Sequence, residues 1–309
     1  MMVRMNYKAL ASIFVAAAIA FARPVAFLAQ EVGRAAQILA DARKAIGDQK
    51  LAALKTFSVQ SSVQRNLGNM QMPSDVEILL EMPDKFVRSD VMNGGPGMVI
   101  RGGGTTGFIG DKPAQKIDPG GASMGGVSFR MTGPTGSFSS PGGSGDKPTP
   151  EELEQRTRAM VRNSQVEASR LMLGWFAMAH PVLKAEYAYA GEAESPDGKA
   201  YVIDVKDAAG FAARLFIDEQ NHLPLMVTYR GAMPRVMMNT NGRISGATDP
   251  SQPPEMADYT LYFEGWRDVD GIKFPFRMRR STAGATNEEW TINKVKVNPK
   301  IDPKKFSGE

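Results

Sequence analysis

One segment of the chain has the glycine spacing of a dinucleotide-binding loop. Gly102, Gly104 and Gly107 fit the pattern Gly-x-Gly-x-x-Gly. Such a loop needs a strand before it and a helix after it, so that the phosphates meet the amino-terminal end of the helix. Residues 108–113 read FIGDKP, which is not a helical pattern. Glycine is frequent in this part of the chain, so the spacing indicates a chance match and we expect no nucleotide cofactor.

The remaining chemistry-bearing residues also fail to form a catalytic or metal-binding pattern. His180 and His222 have no second histidine or carboxylate at the spacing of metal ligands, and no serine lies in a nucleophile elbow. Residues 268–271, DVDG, resemble half of a calcium loop, but an Asp-Gly pair between two alternating segments is typical of a hairpin turn. We therefore expect no metal, no cofactor and no catalytic residue, and predict that the protein is not an enzyme.

Charge and cysteine usage exclude two further classes. The 37 basic and 33 acidic residues give a formal charge of +4, but residues 1–29 hold three of the basic residues and no acid. Without them 34 basic residues face 33 acidic ones, which argues against a nucleic-acid partner. The chain has no cysteine, which excludes disulfides, a lipid-modified cysteine and a thiolate metal site.

The first 29 residues have the composition of a secretory signal peptide. Arg4 and Lys8 precede an apolar stretch over residues 9–22 that is short for a membrane span. Cleavage after Ala22 or after Ala29 fits the small residues there, and we prefer Ala29 because a polar helix then opens the mature protein. The alternative is an uncleaved anchor. We expect a soluble protein in a bacterial periplasm after cleavage.

Two helices are predicted. Residues 31–46 are alanine-rich, carry apolar residues at helical spacing and stop at Gly47. The second helix starts after the capping Thr149, with Pro150 at its first position, and extends to about residue 179. Its end, residues 171–178, is apolar nearly all round. That end is either ordinary core or a lid over an apolar cavity, and both uses need the same side chains.

Most of the remaining chain predicts β-strands. Apolar residues alternate with polar ones over residues 57–63, 76–82 and repeatedly over 187–297, with short turns between the runs. A period of two puts each apolar set on one face of an antiparallel sheet. A change of phase in the last strand predicts a β-bulge near Asn293. Two inserts interrupt the pattern: residues 93–147, with 17 of the 31 glycines, and residues 231–257. Both are predicted as loops, with the alternative that the short apolar pieces at residues 98–100 and 107–109 are strands flanking a turn.

Three late segments resemble a known superfamily. Residues 215–218 and 223–225 read LFID and LPL, residues 262–276 read YFEGWRDVDGIKFPF, and residues 295–306 read VKVNPKIDPKKF. These segments resemble strands, turns and tail of the LolA/LolB-like periplasmic lipoprotein carriers, which include outer-membrane lipoprotein-sorting proteins. The resemblance extends over residues 183–306 and 31–92. It implies an incomplete β-barrel, closed by helices, with a cavity for acyl chains.

The sequence thus predicts an α+β protein with one LolA-like domain over residues 30–309, whose strongly curved antiparallel sheet wraps around helices. Two functions stay open. One is a carrier of an apolar ligand, such as a lipid or a lipoprotein acyl chain. The other is a sensor or scaffold that binds a protein partner, such as a membrane-associated protein, without lipid. The residues expected to line the apolar cavity are Leu171, Met172, Trp175 and Phe176 on the helix and Phe57, Val59, Ile78, Leu80, Ile203, Leu215, Leu225, Leu261, Phe274 and Phe276 on the sheet.

Overall fold

The structure is a computed structural model that describes residues 25–67, 70–93, 103–114, 116–117, 122–124, 127–133, 136–137, 149–196, 198–233, 235–240, 243–245 and 255–307. Most of the predicted signal peptide lies outside these residues. Within the described part, no helix is long and apolar enough to cross a membrane. The helices are α1 (Val25–Ile46), α2 (Asp48–Ala52), α3 (Pro150–Phe176) and α4 (Lys304–Ser307).

Eighteen strands accompany these helices in the described residues. In chain order they are β1 (Thr56–Leu67), β2 (Met70–Glu81), β3 (Lys85–Met92), β4 (Gly103–Ile109), β5 (Lys112–Pro113), β6 (Lys116–Ile117), β7 (Ala122–Met124), β8 (Val127–Gly133), β9 (Gly136–Ser137), β10 (Glu186–Ser195), β11 (Gly198–Lys206), β12 (Ala212–Asp218), β13 (Pro224–Ala232), β14 (Arg235–Thr240), β15 (Arg243–Ser245), β16 (Met256–Val269), β17 (Ile272–Thr282) and β18 (Ala285–Val297).

One large antiparallel sheet forms the body of the molecule. Its strand order is β10-β11-β12-β13-β16-β17-β18-β1-β2-β3-β4-β5, with β6 beside β4. The amino-terminal strands thus join the carboxy-terminal meander through the pairing of β1 with β18. The two ends of the order, β10 and β5, do not pair with each other, so the sheet is an incomplete barrel. This confirms the predicted α+β fold with a curved antiparallel sheet.

Helices α1 and α3 cover the apolar side of this sheet. Helix α1 lies against β10 and β17, and α3 lies against strands from both ends of the order, including β13, β16, β3 and β4. One continuous hydrophobic core contains residues from both helices and from most of the long strands. Helix α3 begins with the predicted cap, since the Thr149 side chain accepts a hydrogen bond from the Glu152 backbone in a complete capping box.

Local backbone features follow the sequence closely. Asp270 and Gly271, both with positive φ, form a two-residue turn between β16 and β17, which is the predicted hairpin rather than a calcium loop. In β18, Lys294 pairs with Gln60 and Ile292 with Ser61, so the extra residue of the predicted bulge is Asn293. Both features are set by neighbours in sequence, which is why a short pattern predicts them.

The glycine spacing at residues 102–107 does not produce a nucleotide loop. Gly103–Ile109 is strand β4, and a turn and strand β5 follow it instead of a helix. A side chain at Gly107 would place its Cβ atom 2.1 Å from the backbone oxygen of Phe86 in the neighbouring strand β3. Glycine is required at this position by close approach of two backbones rather than by a phosphate.

The two inserts differ from the predicted loops, because they pair with each other. Strand β8 of the first insert is antiparallel to β14 of the second, with Met131 opposite Val236. Strands β7, β9 and β15 complete a second, five-stranded sheet. The sequence analysis missed this sheet because its strands are short, the segments around β8 are glycine-rich, and the paired strands β8 and β14 lie about a hundred residues apart.

Candidate functional site

An aromatic cluster joins the carboxy-terminal end of α3 to the sheet. Trp175 and Phe176 of α3 contact Phe57 of β1 and Phe274 of β17, with ring centroids 5.1–6.4 Å apart. All four side chains are fully buried. The Trp175 indole also donates a hydrogen bond of 3.1 Å to the sulfur of Met278. These separations are those at which aromatic pairs attract each other beyond simple burial.

The helix approaches the sheet most closely at Gly174. A Cβ atom at this position would lie 1.8 Å from the ring of Phe263 in β16. The ring of Phe263 is itself buried. Because Gly174 has no side chain, α3 packs directly against the ring of Phe263. This close approach brings Trp175 and Phe176 into the aromatic cluster.

Most of the residues predicted to line a cavity come together in the main core. The twelve that are buried there are Leu171, Met172, Trp175, Phe176, Phe57, Val59, Ile78, Leu80, Ile203, Leu215, Leu261 and Phe274. Their contact with a ligand stays a prediction.

Two predicted lining residues lie elsewhere. Leu225 is 36% exposed, because Phe216 pairs with Met226 and Ile217 with Pro224, which leaves Leu225 as the extra residue of a bulge. Phe276 is partly buried at the border of the core, with the Arg267 guanidinium 4.6 Å from its ring centroid. The alternating pattern assigned Leu225 to the inner face because a bulge cannot be recognised from alternation alone.

A network of buried charges, which the sequence analysis did not anticipate, lies under the middle of α3. One oxygen of Glu167 accepts hydrogen bonds from Arg88 of β3 at 3.2 Å and from Arg280 of β17 at 2.8 Å. Arg88 also pairs with Asp90, and Arg280 with Glu288 at 3.5 Å. A single helix carboxylate thus joins two strands that are distant in the sheet order.

A third arginine completes this charge network. Arg65 of β1 pairs with Asp90 and, at 3.3 Å, with Glu288. Three arginines and three carboxylates therefore compensate one another: Arg65, Arg88, Arg280, Asp90, Glu167 and Glu288. Arg88, Arg280 and Glu167 are buried, and the other three are partly buried. Their mutual pairing makes this burial tolerable, because an unpaired charge in the interior is far more costly than a paired one.

The electrostatics of the network favour the ionised carboxylates. Burial alone raises the pKa of Glu288, but Arg280, Arg65 and Arg88 outweigh it and lower that pKa to about 2. The same balance, with Arg88 and Arg65 as the cations, lowers the pKa of Asp90 to about 2. Both carboxylates are therefore charged at neutral pH.

A sequence signal for the network exists in the strand periodicity. Arg88 lies opposite Ile78, and Arg280 lies opposite Glu288, so these charged residues occupy the same inward-facing phase as the apolar residues before them. Charged residues in phase with a buried apolar series are a marker of an internal ion pair. Which charges meet is a property of the assembled sheet.

A fourth arginine lies beside this network on α3. The guanidinium carbon of Arg170 is 3.7 Å from the ring centroid of Tyr229. Tyr229 in turn stacks on Tyr259 with centroids 5.1 Å apart and planes inclined by 5°. Burial is the largest influence on Arg170 and lowers its pKa, against the opposing effect of Tyr229 and Glu167. Arg170 is thus a cation held largely by aromatic faces.

His180 closes the turn after α3 and is a further buried titratable group. Its backbone N–H donates to the Ser169 hydroxyl, and the Val182 N–H donates to its Nδ1. Its ring packs edge-on against Phe108, and burial lowers its pKa to about 4. The imidazole is therefore neutral at pH 7 and packs within the core.

The comparisons with known proteins return structures of low sequence identity. No protein-family model matches the chain, and no curated protein matches it. Among solved structures, a LolA-superfamily protein from Nitrosomonas europaea is 11% identical with a TM-score of 0.45, over 88% of this chain and 96% of its own. A putative outer membrane lipoprotein-sorting protein domain from Vibrio parahaemolyticus is 9% identical with a TM-score of 0.44, over 90% and 97%.

A third solved structure is also similar to this chain. A DUF1329-family protein from Desulfovibrio piger is 8% identical with a TM-score of 0.42, over 88% of this chain and 96% of its own. The solved structures that are similar to this chain thus include a LolA-superfamily protein and an outer membrane lipoprotein-sorting protein domain, the superfamily that residues 183–306 and 31–92 resemble.

Proposed function

We propose that the protein is exported to the bacterial periplasm and there binds an apolar ligand, a lipid or a lipoprotein acyl chain, without catalysing a reaction. One observation supports this above the others. The apolar face of an incomplete barrel is covered by helices, and over Leu171–Phe176 α3 is buried all round. An apolar chain placed between this end of α3 and the sheet gains about 25 cal/mol for each Å² of apolar surface removed from water.

Binding requires movement of the carboxy-terminal end of α3. The rings of Phe57, Trp175, Phe176 and Phe274 already contact one another, so an acyl chain displaces one or more of them. An acyl chain restores to the displaced rings the same kind of contact that they lose, because dispersion and hydrophobic burial are not directional. The aromatic cluster is therefore the part of the helix contact that a ligand is able to replace.

The position of Trp175 allows a direct test with brominated fatty acid, since bromine quenches tryptophan fluorescence only at close range. We expect a dibrominated acyl chain to quench the wild-type protein and a Trp266→Phe variant. The Trp175→Phe variant should lose most of the quenching, because its remaining indoles, Trp266 and Trp290, lie outside the aromatic cluster. The unbrominated acid is the control in each case.

A second measurement covers native cargo. Native mass spectrometry of the protein isolated gently from a periplasmic extract should show an added lipid mass that organic solvent removes. Protein that is repeatedly free of lipid, together with no quenching of the wild type by the brominated chain, would falsify the proposal.

A periplasmic sensor or scaffold is the second candidate, and the direct packing of the aromatic cluster favours it. A core in which four rings fill the space between helix and sheet needs no ligand for stability. In that case affinity capture from the periplasm yields one stoichiometric protein partner, with no lipid on either protein. A lipid-loaded protein without such a partner would exclude this candidate.

A further inference from the structure

We infer that Arg170 binds the anionic headgroup, a carboxylate or a phosphate, of an amphiphile whose acyl chain lies along the inner face of β16. This inference rests on the proposed function, because it names the class of apolar ligand that the same site accepts. It assigns a role to an arginine of α3 that forms no salt bridge with any carboxylate among the described residues.

The charge balance around α3 supports this role. Arg65, Arg88 and Arg280 share the three carboxylates of Asp90, Glu167 and Glu288. Arg170 adds a fourth positive charge beside them. Over the part of the chain that the structure describes, no carboxylate oxygen lies within the 4.0 Å salt-bridge distance of Arg170.

The hydrogen bonds of Arg170 are also incomplete. Its Nε atom is buried and has no hydrogen-bond partner among the described residues. The residue as a whole keeps some exposure, so its outer nitrogens remain within reach of a ligand. A guanidinium presents its donors in a planar fork that fits carboxylate and phosphate oxygens, and an anion placed there satisfies both the charge and the free donors.

The surroundings of Arg170 exclude most alternatives to an anion. One face of the guanidinium is covered by Tyr229, and Tyr259 supports that ring from behind. The Tyr259 hydroxyl is already used, because it donates to the backbone oxygen of Ala232. A cation–π contact of this kind stabilises the guanidinium, but it offsets only part of the cost of burying an unpaired charge.

The arrangement also defines where the acyl chain lies. Gly174 is one helical turn beyond Arg170 on the same side of α3, and it rests on Phe263. Arg170 rests on the Tyr229–Tyr259 pair, and Tyr259, Leu261 and Phe263 follow one another on the inward phase of β16. A headgroup at Arg170 therefore directs its chain along about 13 Å of strand toward the aromatic cluster.

The test compares four probes that separate headgroup from chain: dodecanoate, dodecyl phosphate, dodecanol and inorganic phosphate. Calorimetric titration at low salt should give the wild type at least tenfold tighter binding of dodecanoate and dodecyl phosphate than of dodecanol. Arg170→Gln should abolish that preference while leaving the dodecanol affinity unchanged. Arg162→Gln is the matched control, because Arg162 lies on the same helix and is already paired with Asp207 at 2.7 Å.

A second variant keeps the test decisive if Arg170→Gln does not fold. Arg170→Lys retains the charge but loses the planar fork and the stacked contact, so we expect the preference for the anionic chains to fall severalfold and to become more sensitive to salt. Circular dichroism and thermal unfolding verify the fold of each variant.

The outcomes separate the two proposals. Equal binding of dodecanoate and dodecanol by the wild type, or an unchanged preference in folded Arg170→Gln, overturns the headgroup assignment and leaves the proposed function standing. Inorganic phosphate that binds as tightly as dodecyl phosphate overturns it as well, since the site would then serve a free anion. Failure of every chain-bearing probe overturns both proposals together.

Discussion

Glu167 in the middle of α3 and the carboxy-terminal end of the helix are both buried but are held in opposite ways. In the middle, one oxygen of Glu167 is shared by two arginines from β3 and β17. About two turns later, Gly174, Trp175 and Phe176 pack against aromatic side chains, and the Trp175 indole donates a hydrogen bond to the sulfur of Met278. The charged contact depends on direction and on a fixed set of partners, whereas the apolar contact depends on area and shape.

This difference determines which part of the helix contact a ligand is able to replace. Withdrawing Glu167 from the sheet leaves charges uncompensated in the interior, which is a cost that no acyl chain offsets. Withdrawing Trp175 or Phe176 exposes apolar surface that an acyl chain covers again. Under the proposed function, the carboxy-terminal end of α3 therefore moves while Glu167 stays in place.

The largest expected effect comes from neutralising the charged contact. Glu167→Gln removes the negative charge between Arg88 and Arg280 and should lower the free energy of unfolding by about 3 kcal/mol, as found for broken buried ion pairs. Urea denaturation at pH 7 measures this. Glu154→Gln is the matched control on the same helix, because its pair with Arg158 is exposed, and such pairs contribute well under 1 kcal/mol. Equal losses in both variants would contradict the assigned role of Glu167.

The second largest effect is expected from acid, which should weaken the charged contact. The lowered pKa values mean that stability is lost as the pH falls. The pKa of Glu288 falls from an ordinary 4.5 to about 2 in the folded protein, so its stabilising effect is complete above about pH 4.5 and is lost as the pH falls toward 2. Asp90, with a pKa of about 2, adds to the same loss. Each carboxylate accounts for at most about 2–3 kcal/mol.

Denaturation between pH 5 and pH 2.5 measures this loss, and a Glu288→Gln variant isolates one carboxylate. The variant should be less stable than the wild type at pH 6 but should lose less stability across the acid range. Identical acid slopes for the two proteins would show that Glu288 is not paired in the folded state. His180, whose pKa falls to about 4, adds a separate loss between about pH 6.5 and 4 that both proteins share.

The same contrast explains how much of the molecule the sequence predicted. The cap at Thr149, the hairpin at Asp270–Gly271 and the bulge at Asn293 each depend on residues close in sequence, and all three are confirmed. The apolar end of α3 follows from composition alone, since a helix that is apolar all round must be buried. The strand order of the meander follows from short turns between alternating runs.

Features that depend on distant pairing escaped prediction. In the sequence, Glu167 is one of several charged residues on α3. Its partners are decided only in the folded sheet, where β3 and β17 place Arg88 and Arg280 beneath it. The second sheet depends on the pairing of β8 with β14, and α3 and four long strands lie between these two strands in the sequence. Leu225 keeps the inward phase in sequence but is turned outward by a bulge in the assembled sheet. In each case the deciding partner lies far along the chain.

The smallest expected effect tests the apolar contact. The same substitution, glycine to alanine, is made at one position in each of two helices, and it should change the stability of the protein in opposite directions. Gly33→Ala in α1 meets nothing within 4 Å and should stabilise the protein by about 0.5–1 kcal/mol, the gain in helix propensity. Gly174→Ala has the same intrinsic gain, but its Cβ atom would overlap the Phe263 ring at 1.8 Å.

Relief of that overlap requires α3 or Phe263 to shift within a closely packed core, which costs about 1–3 kcal/mol and exceeds the propensity gain. We therefore expect Gly174→Ala to be destabilised by about 1–2 kcal/mol in thermal unfolding, and Gly33→Ala to unfold at a higher temperature than the wild type. A smaller side chain at residue 263 sharpens the test. In a double-mutant cycle, Phe263→Leu should reduce the loss of stability that Gly174→Ala causes. If the single variant Gly174→Ala were more stable than the wild type, the end of α3 would not rest on Phe263. The proposed site for the acyl chain would then lose the helix–sheet contact that bounds it.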